Sequence, residues 1–280
     1  MMPLELGGEV LGYLSADFSS KLRPYSDVFD FSPGPPESPV RVRLVASLET
    51  ATLQQRTAAV GKVCAQLREQ GHIYGWRDEL LPVLTGYTDP PRLLVERAAC
   101  PYFGTKAYGV HVNGYVRTGG YISHLWVATR SATKSTWPGM LDHIVAGGQP
   151  HGISIMGNVI KECAEEASIP ADLAAQALPT GAVSYNYFDD NGSLKRDALF
   201  CFDLSLPRDF VPVPMDGEVE KFELREVGWV LDRVVEGGAG GYKPNCNLVL
   251  IDFFLRNGII DPESKGYLEL LAGLRGSGCS

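Results

Sequence analysis

Long apolar runs are absent from this sequence. No stretch approaches the roughly 20 consecutive apolar residues that a helix needs to span a bilayer, so we expect no membrane partner. Positive charge is also scarce, because 25 lysines and arginines stand against 33 aspartates and glutamates, which gives a net charge of −8. A duplex nucleic acid normally binds a basic surface, and this balance argues against a nucleic-acid partner. A local basic pocket or a bound metal can still hold phosphate groups.

Closely spaced cysteines are absent as well. The six cysteines lie at positions 64, 100, 163, 201, 246 and 279, and no two of them form a Cys-x-x-Cys pair, which argues against a zinc site. Wide spacing in a chain of this size is typical of reduced thiols, so we expect an intracellular compartment. The N-terminus carries Glu5 and has no basic start, and it does not resemble a secretory signal or a transit peptide.

The composition is that of a folded globular protein. At 280 residues, with 45% apolar and 21% charged residues, the chain suffices for one large domain or two modest ones. The first module covers residues 1–102 and contains turn-rich loops at 32–39 and 89–92 and a helical periodicity over 52–69. The second module covers residues 103–280.

The second module alternates strand and helix patterns. The patterns predict paired strands at 107–116 and 121–128, and a hairpin of strands 181–188 and 197–203 around a turn at 189–192. They also predict a short strand at 227–231, followed by helices at 247–257 and 267–274.

The most informative stretch is 147–169, GGQPHGISIMGNVIKECAEEASI. Its centre predicts a helix on which Glu162, Glu165 and Glu166 share a face, because positions i, i+3 and i+4 lie together. An apolar stripe occupies the other side, made of Val159, Ile160, Cys163, Ala164 and Ala167. Clustered carboxylates repel one another, and a hard divalent cation with oxygen ligands is the natural compensation. The alternative is a solvated helix face, the usual place of a charge run.

This stretch resembles the Nudix box, G-x5-E-x7-R-E-U-x-E-E-x-G-U, in which U is a bulky aliphatic residue. The matching positions are Gly147 for the first glycine, Glu162 for the Glu of R-E, Glu165 and Glu166 for E-E, and Ile169 for the last aliphatic residue. The departures are Ile153 for the first Glu, Lys161 for Arg, Cys163 for the aliphatic residue and Ser168 for Gly. We interpret Ile153 as a trait of one branch of the family.

That branch consists of Nudix proteins similar to the Nudix half of fungal thiamine pyrophosphokinases, with relatives in plants. The segments that resemble it include WPGMLDHIVAGGQPHGIS (137–154), DALFCFDLSLP (197–207), KPNCNLVLIDFFLRNGII (243–260) and, in the first module, VERAACPYFG (95–104). The resemblance implies a Nudix α/β/α sandwich with a mixed sheet over residues 103–280, preceded by a smaller α+β domain over residues 1–102.

The resemblance also implies a metal site for Mg²⁺, with Mn²⁺ as a possible substitute. Its ligands are Glu162, Glu165, Glu166 and the backbone carbonyl of Gly147, where a side chain would obstruct the approach. Lys161 is predicted to orient a glutamate by ion pairing, with a solvated lysine as the alternative. The acidic turn at 216–220 is the candidate source of a base or a further ligand. Within this turn we favour Glu218 over Glu220, and an ordinary surface turn is the alternative.

Three cations are candidate substrate ligands: Arg130, Lys134 and Arg196. Arg130 and Lys134 directly follow a predicted strand, and strand ends next to the box line the cleft in the family that this chain resembles. Lys243 is an alternative to Arg196. Such residues can clamp the charge of a phosphoryl group, and for each of them an ordinary surface charge is the alternative.

The residues and the resemblance imply a Mg²⁺-dependent hydrolase that cleaves a small-molecule diphosphate to a monophosphate and phosphate. The branch points to oxo- and oxythiamine diphosphate and to metabolite repair, by a monomer or homodimer in the cytoplasm or a plastid. Two alternatives stay open: a pyrophosphatase of the ADP-ribose type, and a catalytically inactive Nudix fold that binds a ligand or a protein. Ile153 and Lys161 favour the inactive fold, and the intact glutamates argue against it.

Overall fold

The computed structural model describes residues 1–32, 40–134, 136–189, 192–238 and 240–276. The chain divides into two compact units. The first comprises Met1–Ala107 and Tyr185–Asp197, and the second comprises Tyr108–Ser184 and Ala198–Ser277. The predicted domain boundary between residues 102 and 103 stays a prediction. None of the helices in the described residues has the length and apolar character needed to cross a membrane.

The first unit is built around a four-stranded sheet. Its strands are β1 (Met2–Leu6), β2 (Glu9–Leu14), β3 (Phe29–Ser32) and β4 (Arg41–Leu44), in the order β2-β1-β4-β3. The unit also contains the helices α1 (Ala16–Leu22), α2 (Ala46–Glu49), α3 (Leu53–Glu69) and α4 (Cys100–Phe103), and the antiparallel pair β5 (Leu80–Val83) and β6 (Leu93–Glu96).

Helix α3 confirms the helical periodicity predicted over 52–69. Thr52 and Gln55 form a capping box at its first turn. The Thr52 side chain accepts a hydrogen bond from the Gln55 N–H, and the Gln55 side chain accepts one from the Thr52 N–H. The buried side of α3 consists of Val60, Val63, Cys64 and Leu67. These side chains join the apolar core of the unit, which also contains Phe29 and Phe103.

A seven-stranded sheet lies mostly in the second unit. Its strands are β7 (Lys106–Thr118), β8 (Tyr121–Arg130), β9 (Leu141–Asp142), β10 (Val145–Gly148), β11 (Leu178–Phe188), β12 (Leu194–Ser205) and β13 (Val219–Glu226). The order is β11-β12-β7-β8-β13, with β10 paired to β7 and β9 to β8. The helices are α5 (Ile155–Ala167), α6 (Ala171–Ala174), α7 (Val227–Glu236), α8 (Pro244–Arg256) and α9 (Tyr267–Gly273). The predicted strand pairs and C-terminal helices are confirmed, and residues 190 and 191 of the predicted turn lie outside the described residues.

Helices cover both faces of this sheet. On β8, Trp126 belongs to an apolar cluster with Val159 of α5, whereas Leu125 belongs to a second cluster with Leu250 and Phe253 of α8. Neighbouring residues of a strand point to opposite faces, so α5 and α8 lie on opposite sides of the sheet. The predicted α/β/α sandwich is confirmed.

The strand predicted at 227–231 is wrong, because this segment begins helix α7. Val227, Val230, Leu231 and Val234 recur at the i, i+3, i+4 and i+7 positions of a helix, and all four contribute to the cluster on the α8 side. The strand lies just before them, where β13 pairs antiparallel with β8. A short apolar run fits both the helical and the strand period. The apolar stripe that continues to Val234 fits only the helical period, and the segment forms a helix.

Candidate active site

Strand β10 ends in two glycines, and the first of them is required for space. Gly147 lies opposite Val110 of β7. A Cβ added at Gly147 would lie 2.4 Å from Cδ and 2.7 Å from Oε1 of Glu162, whereas real Cβ contacts essentially never fall below 3.0 Å. The absence of a side chain therefore lets the Glu162 carboxylate approach the main chain of β10.

Helix α5 carries the predicted acids, and a serine fixes each of its ends. Ser154 caps the first turn and accepts a hydrogen bond from the Gly157 N–H at 3.1 Å. Ser168 follows the last turn with φ at 55°, the left-handed conformation that favours the glycine of the Nudix box. The Ser168 hydroxyl donates to the Val213 carbonyl at 2.9 Å, and the Val213 N–H donates to the Ala167 carbonyl at 3.1 Å. This departure from the box therefore preserves the end of the helix.

Glu166 is buried, with 7% of its surface exposed. Its Oε2 accepts a hydrogen bond from the Ala146 N–H of β10 at 2.9 Å, and burial raises the pKa of its carboxyl well above the ordinary value. The predicted separation of acidic and apolar faces is therefore wrong at two positions. Glu166 is buried beside Cys163 and Ala167, and Ala164 is exposed. The reason is that the strand supplies this carboxylate with a hydrogen-bond partner.

Carboxylates from distant parts of the sequence meet next to α5. One oxygen of Glu166, one of Asp216 and one of Glu218 lie within 4.8 Å of one another, and we call these three residues the acidic group. Asp216 Oδ1 accepts a hydrogen bond from the Glu218 N–H at 2.8 Å. The loop after β8 holds this turn, because Lys134 forms an ion pair with Glu218 and the Ser131 N–H donates to the Glu218 carbonyl at 2.9 Å. The structure thus brings the predicted residues Glu166, Glu218 and Lys134 together.

The pairing of β13 separates Glu218 from Glu220. Val219 lies opposite Arg130 and Lys221 lies opposite Thr129, with a register shift between them, so Glu220 is the additional residue of a β-bulge. Glu220 is exposed. Within the described residues, the acidic group includes Glu218 and does not include Glu220.

Lys161 lies between two of the predicted metal ligands. Its ammonium is 3.2 Å from Oε1 of Glu162 and 2.7 Å from Oε2 of Glu165. The Glu162 side chain is 14% exposed, and its burial raises the pKa of its carboxyl. The Glu165 side chain is 52% exposed. Glu162 is therefore held beside Gly147, whereas Glu165 lies at the surface and outside the acidic group.

The donor set fits a hard divalent cation. Glu162 and the acidic group offer only oxygen atoms, which Mg²⁺ and Mn²⁺ prefer. A buried carboxyl with a raised pKa is stabilised in its ionised form by a neighbouring cation, so Glu166 is suited to such a ligand. A divalent ion held there would neutralise charge on a diphosphate and would lower the pKa of bound water.

Two curated plant proteins match the whole chain. Nudix hydrolase 20, chloroplastic, of Arabidopsis thaliana is 47% identical over 281 residues, which cover 100% of this chain and 74% of that protein. This chain belongs to the Nudix hydrolases. Nudix hydrolase 24, chloroplastic, of the same plant is 45% identical over 279 residues, with the same coverage of 100% and 74%. Membership makes the protein an enzyme that hydrolyses diphosphates, in a family that generally uses divalent metals.

Other similarities cover parts of this Nudix hydrolase. A family model described as "Domain of unknown function (DUF4743)" matches residues 1–107. An uncharacterized protein of Saccharomyces cerevisiae is 38% identical over 212 residues, which are 71% of this chain and 60% of the yeast protein. Among solved structures, the NUDIX domain of Shewanella oneidensis NrtR complexed with ADP ribose aligns with a TM-score of 0.42 and 12% identity, over 55% of this chain and 90% of that one. The family membership rests on the plant relatives.

The guanidinium of the predicted substrate ligand Arg130 is hydrogen-bonded to other residues of the second unit. It is 9% exposed, and its guanidinium donates to Asp142 Oδ2 at 2.6 Å and to the carbonyls of Trp137 and Thr136 at 2.9 Å each. These bonds fix the segment between β8 and β9. Arg130 therefore stabilises the conformation of this segment. The Lys134 ammonium, in contrast, lies beside the acidic group.

The predicted substrate ligand Arg196 belongs to the first unit. Its guanidinium donates to the Gly104 carbonyl at 3.3 Å and lies 5.0 Å from the centre of the Tyr13 ring. A cation over an aromatic face stabilises local packing. A role of Arg196 toward substrate stays a prediction.

Two buried amides close the loop between β10 and α5, and sequence reasoning missed both. Gln149 Nε2 donates to the Ile153 carbonyl at 2.8 Å, and Asn158 Nδ2 donates to the Gly148 carbonyl at 2.8 Å. Both residues are buried. They secure the loop at the place where Ile153 replaces the first Glu of the Nudix box. The available signal was a pair of amide residues on either side of Ile153.

We expect Gln149→Met to weaken metal binding by about tenfold or more, because residues that orient metal ligands typically contribute at least that much to affinity. Methionine has a similar length and removes the donor to Ile153. The measurement is a Mn²⁺ titration of the substrate-free protein by electron paramagnetic resonance. The matched control is Gln176→Met, since Gln176 is exposed and its amide donates to the Asp172 carbonyl at 3.2 Å. Equal dissociation constants for the two variants would show that the loop does not depend on Gln149.

Proposed function

We propose that this Nudix hydrolase uses Mg²⁺, with Mn²⁺ as a substitute, to cleave a small-molecule diphosphate into a monophosphate and phosphate. The observation that carries the proposal is the convergence of Glu162, Glu166 and Glu218 at the end of β10. Glu162 lies against Gly147, and Glu166 and Glu218 share the acidic group. These oxygen donors come from the box helix and from the loop before β13.

The residues take separate roles in this proposal. Glu162 and Glu166 would hold the cation, together with the Gly147 carbonyl and Glu165. Lys161 orients Glu162 through the ion pair at 3.2 Å. Glu218 accepts the proton of the attacking water or completes the ligand set. The substrate phosphates would meet Lys134, and contacts of Arg130 and Arg196 with substrate stay predictions.

The proposed substrates are thiamine-like diphosphates, above all oxo- and oxythiamine diphosphate. Support comes from the resemblance to the branch of fungal thiamine pyrophosphokinases, which spans both modules. Removing such damaged cofactors would prevent them from occupying thiamine-dependent enzymes. We place residues 1–102 in a separate N-terminal domain and expect a monomer or homodimer. Because both plant relatives are named as chloroplastic, we propose a plastid as the compartment, ahead of the cytoplasm.

A panel of diphosphates tests the proposal. Oxothiamine, oxythiamine and thiamine diphosphates and ADP-ribose are incubated with enzyme and Mg²⁺, and inorganic phosphate and AMP are quantified. We expect oxothiamine and oxythiamine diphosphates to have a kcat/KM at least about tenfold above that of thiamine diphosphate, because a site that hydrogen-bonds a substrate oxygen rejects the analogue that lacks it. ADP-ribose as the best substrate, with AMP as product, would replace the thiamine proposal. Mn²⁺ binding without turnover of any compound would favour the inactive ligand-binding fold.

A further inference from the structure

A second cluster of metal-ligating side chains lies inside the Nudix unit, apart from the oxygen donors of the active site. His111 belongs to β7, Asp142 to β9, and Cys246 to α8, and His143 follows Asp142 directly. One ligand atom of each lies within 4.8 Å of the others, and all four residues are buried. We call these four residues the His–Cys cluster. These four residues are brought together by the fold, and their spacing in the sequence does not predict the cluster.

The two histidines of the cluster direct their Nδ1 nitrogens at the same point, where one of them donates a hydrogen bond to the other. His111 Nδ1 and His143 Nδ1 are 3.0 Å apart, and the ring planes are nearly perpendicular, at 85°. Burial lowers the pKa of His143 to about 4 and lowers that of His111 well below its ordinary value. Both rings are therefore neutral at physiological pH, and neutral imidazole is the form that binds metals.

The sulfur of Cys246 completes a ligand set of nitrogen and sulfur. Cys246 Sγ lies 2.9 Å from Asp142 Oδ1, and its thiol donates to that oxygen. The other carboxylate oxygen, Oδ2, faces two cations: Arg130 Nη1 at 2.6 Å and Lys243 Nζ at 3.8 Å. Asp142 thus has one oxygen, Oδ1, that faces Cys246 and the candidate metal position, and another, Oδ2, that is paired with the cations. Thiolate and imidazole ligands select soft or borderline metals such as Cu⁺ and Zn²⁺.

We propose that the His–Cys cluster binds one Cu⁺ ion through His111 Nδ1, His143 Nδ1 and Cys246 Sγ, with Asp142 Oδ1 beside it. Binding releases the thiol proton of Cys246 to solvent, and the sulfur forms the metal bond. The histidine that carries its proton at Nδ1 carries it at Nε2 instead. No electron is transferred, and Cu⁺ keeps its oxidation state.

The net charge of the buried cluster and its neighbouring cations favours a monovalent ion over a divalent one. With a thiol at Cys246, the cluster and its two cations sum to +1, from Arg130, Lys243 and Asp142. Exchange of one proton for Cu⁺ leaves this sum at +1. Zn²⁺ would raise it to +2 in a buried place, where an uncompensated charge is strongly unfavourable. The ligand types allow both ions, and the neighbouring cations favour Cu⁺.

The cluster is linked to the active site through β10. His111 lies opposite Ala146 in the pairing of β7 with β10, and the Ala146 N–H is the group that holds Glu166. One residue, Ile144, separates His143 from the start of β10. An ion in the cluster would therefore fix this strand, while the oxygen donors that serve hydrolysis stay available. The proposal stands without the proposed substrate.

Competition with a colorimetric Cu⁺ chelator tests the proposal. Full-length proteins with Cys279→Ser, which removes a cysteine outside the described residues, are titrated with Cu⁺ under argon in the presence of bathocuproine disulfonate. We expect one high-affinity Cu⁺ per chain, with an affinity at least about tenfold lower in Cys246→Ser and in His143→Asn. Cys201→Ser and His124→Asn are the matched controls and should retain it. Equal affinity in Cys246→Ser and Cys201→Ser would overturn the assignment.

X-ray absorption of the Cu⁺-loaded protein keeps the proposal testable where a variant fails to fold. The expected first coordination shell contains two nitrogen scatterers and one sulfur scatterer. A shell of sulfur alone would overturn the assignment to this cluster. A Zn²⁺ titration completes the test, because Zn²⁺ bound as tightly as Cu⁺ and lost in the same variants would overturn the charge argument. Binding tests without substrate separate this outcome from a failure of the proposed hydrolysis.

Discussion

Glu166→Gln is expected to lower kcat/KM for diphosphate hydrolysis by about a thousandfold or more. The substitution removes the negative charge from the most deeply buried of the proposed oxygen ligands, and metal-ion electrostatics contribute several kcal/mol, with about 1.4 kcal/mol for each tenfold in rate. Glutamine keeps an oxygen for the Ala146 N–H, so β10 stays in place. Initial rates across a Mg²⁺ titration measure the effect. An unchanged rate would remove Glu166 from the metal site.

The metal-free Glu166→Gln protein is expected to remain folded, which separates lost chemistry from lost structure. Folding raises the pKa of Glu166, so its contribution to stability is fully present below the unfolded pKa and is lost as pH rises through the folded pKa. Glutamine does not titrate. The melting temperature of the variant should therefore exceed that of the metal-free wild type as pH rises. Glu269→Gln, at an exposed position of α9, is the matched control and should change neither rate nor melting temperature.

Gly147→Ala is expected to reduce kcat by about a hundredfold, since a displacement of about 1 Å at a catalytic group costs that much. The new Cβ would lie 2.4 Å from Glu162 Cδ, so Glu162 must move away from β10. Steady-state kinetics and a thermal melt in the presence of Mg²⁺ measure the two consequences. Full activity of Gly147→Ala would mean that Glu162 does not need its place beside the main chain.

Gly228→Ala is the matched control for Gly147→Ala. A Cβ at Gly228 meets nothing within 4 Å, and Gly228 lies in α7. Alanine is preferred over glycine inside a helix by roughly 0.5–1 kcal/mol, so this variant should be slightly more stable, with an unchanged rate. The comparison isolates the collision with Glu162 from the general effect of replacing a glycine.

The box helix was predictable because its signals are local. The spacing of Glu162, Glu165 and Glu166 and the apolar positions between them define α5 without help from the rest of the chain. The burial of Glu166 was not predictable, since its partner is the Ala146 N–H on a strand that lies 20 residues earlier in the sequence. Which of three neighbouring acids faces inward thus depends on a long-range hydrogen bond.

Other parts of the site depend on register and tertiary contact. The acidic turn was identified by composition, but the bulge that sets Glu220 apart from Glu218 arises from the pairing of β13 with β8. Asp142 gave no signal, because its partners Arg130, Lys243 and Cys246 lie far from it along the chain. Helix α7 was mistaken for a strand because five residues are too few to distinguish the two periods.

The two hydrogen bonds that join Val213 to the end of α5 fix the starting point of the segment that leads from Val213 to the acidic group. Val213 is fixed at Ala167 and Ser168, and Asp216 follows only three positions later. The reach of Asp216 and Glu218 toward Glu166 therefore depends on how many residues follow Val213. In related genes, a change of length between Val213 and Asp216 should separate these acids from Glu166, whereas substitutions at positions 214 and 215 should be tolerated.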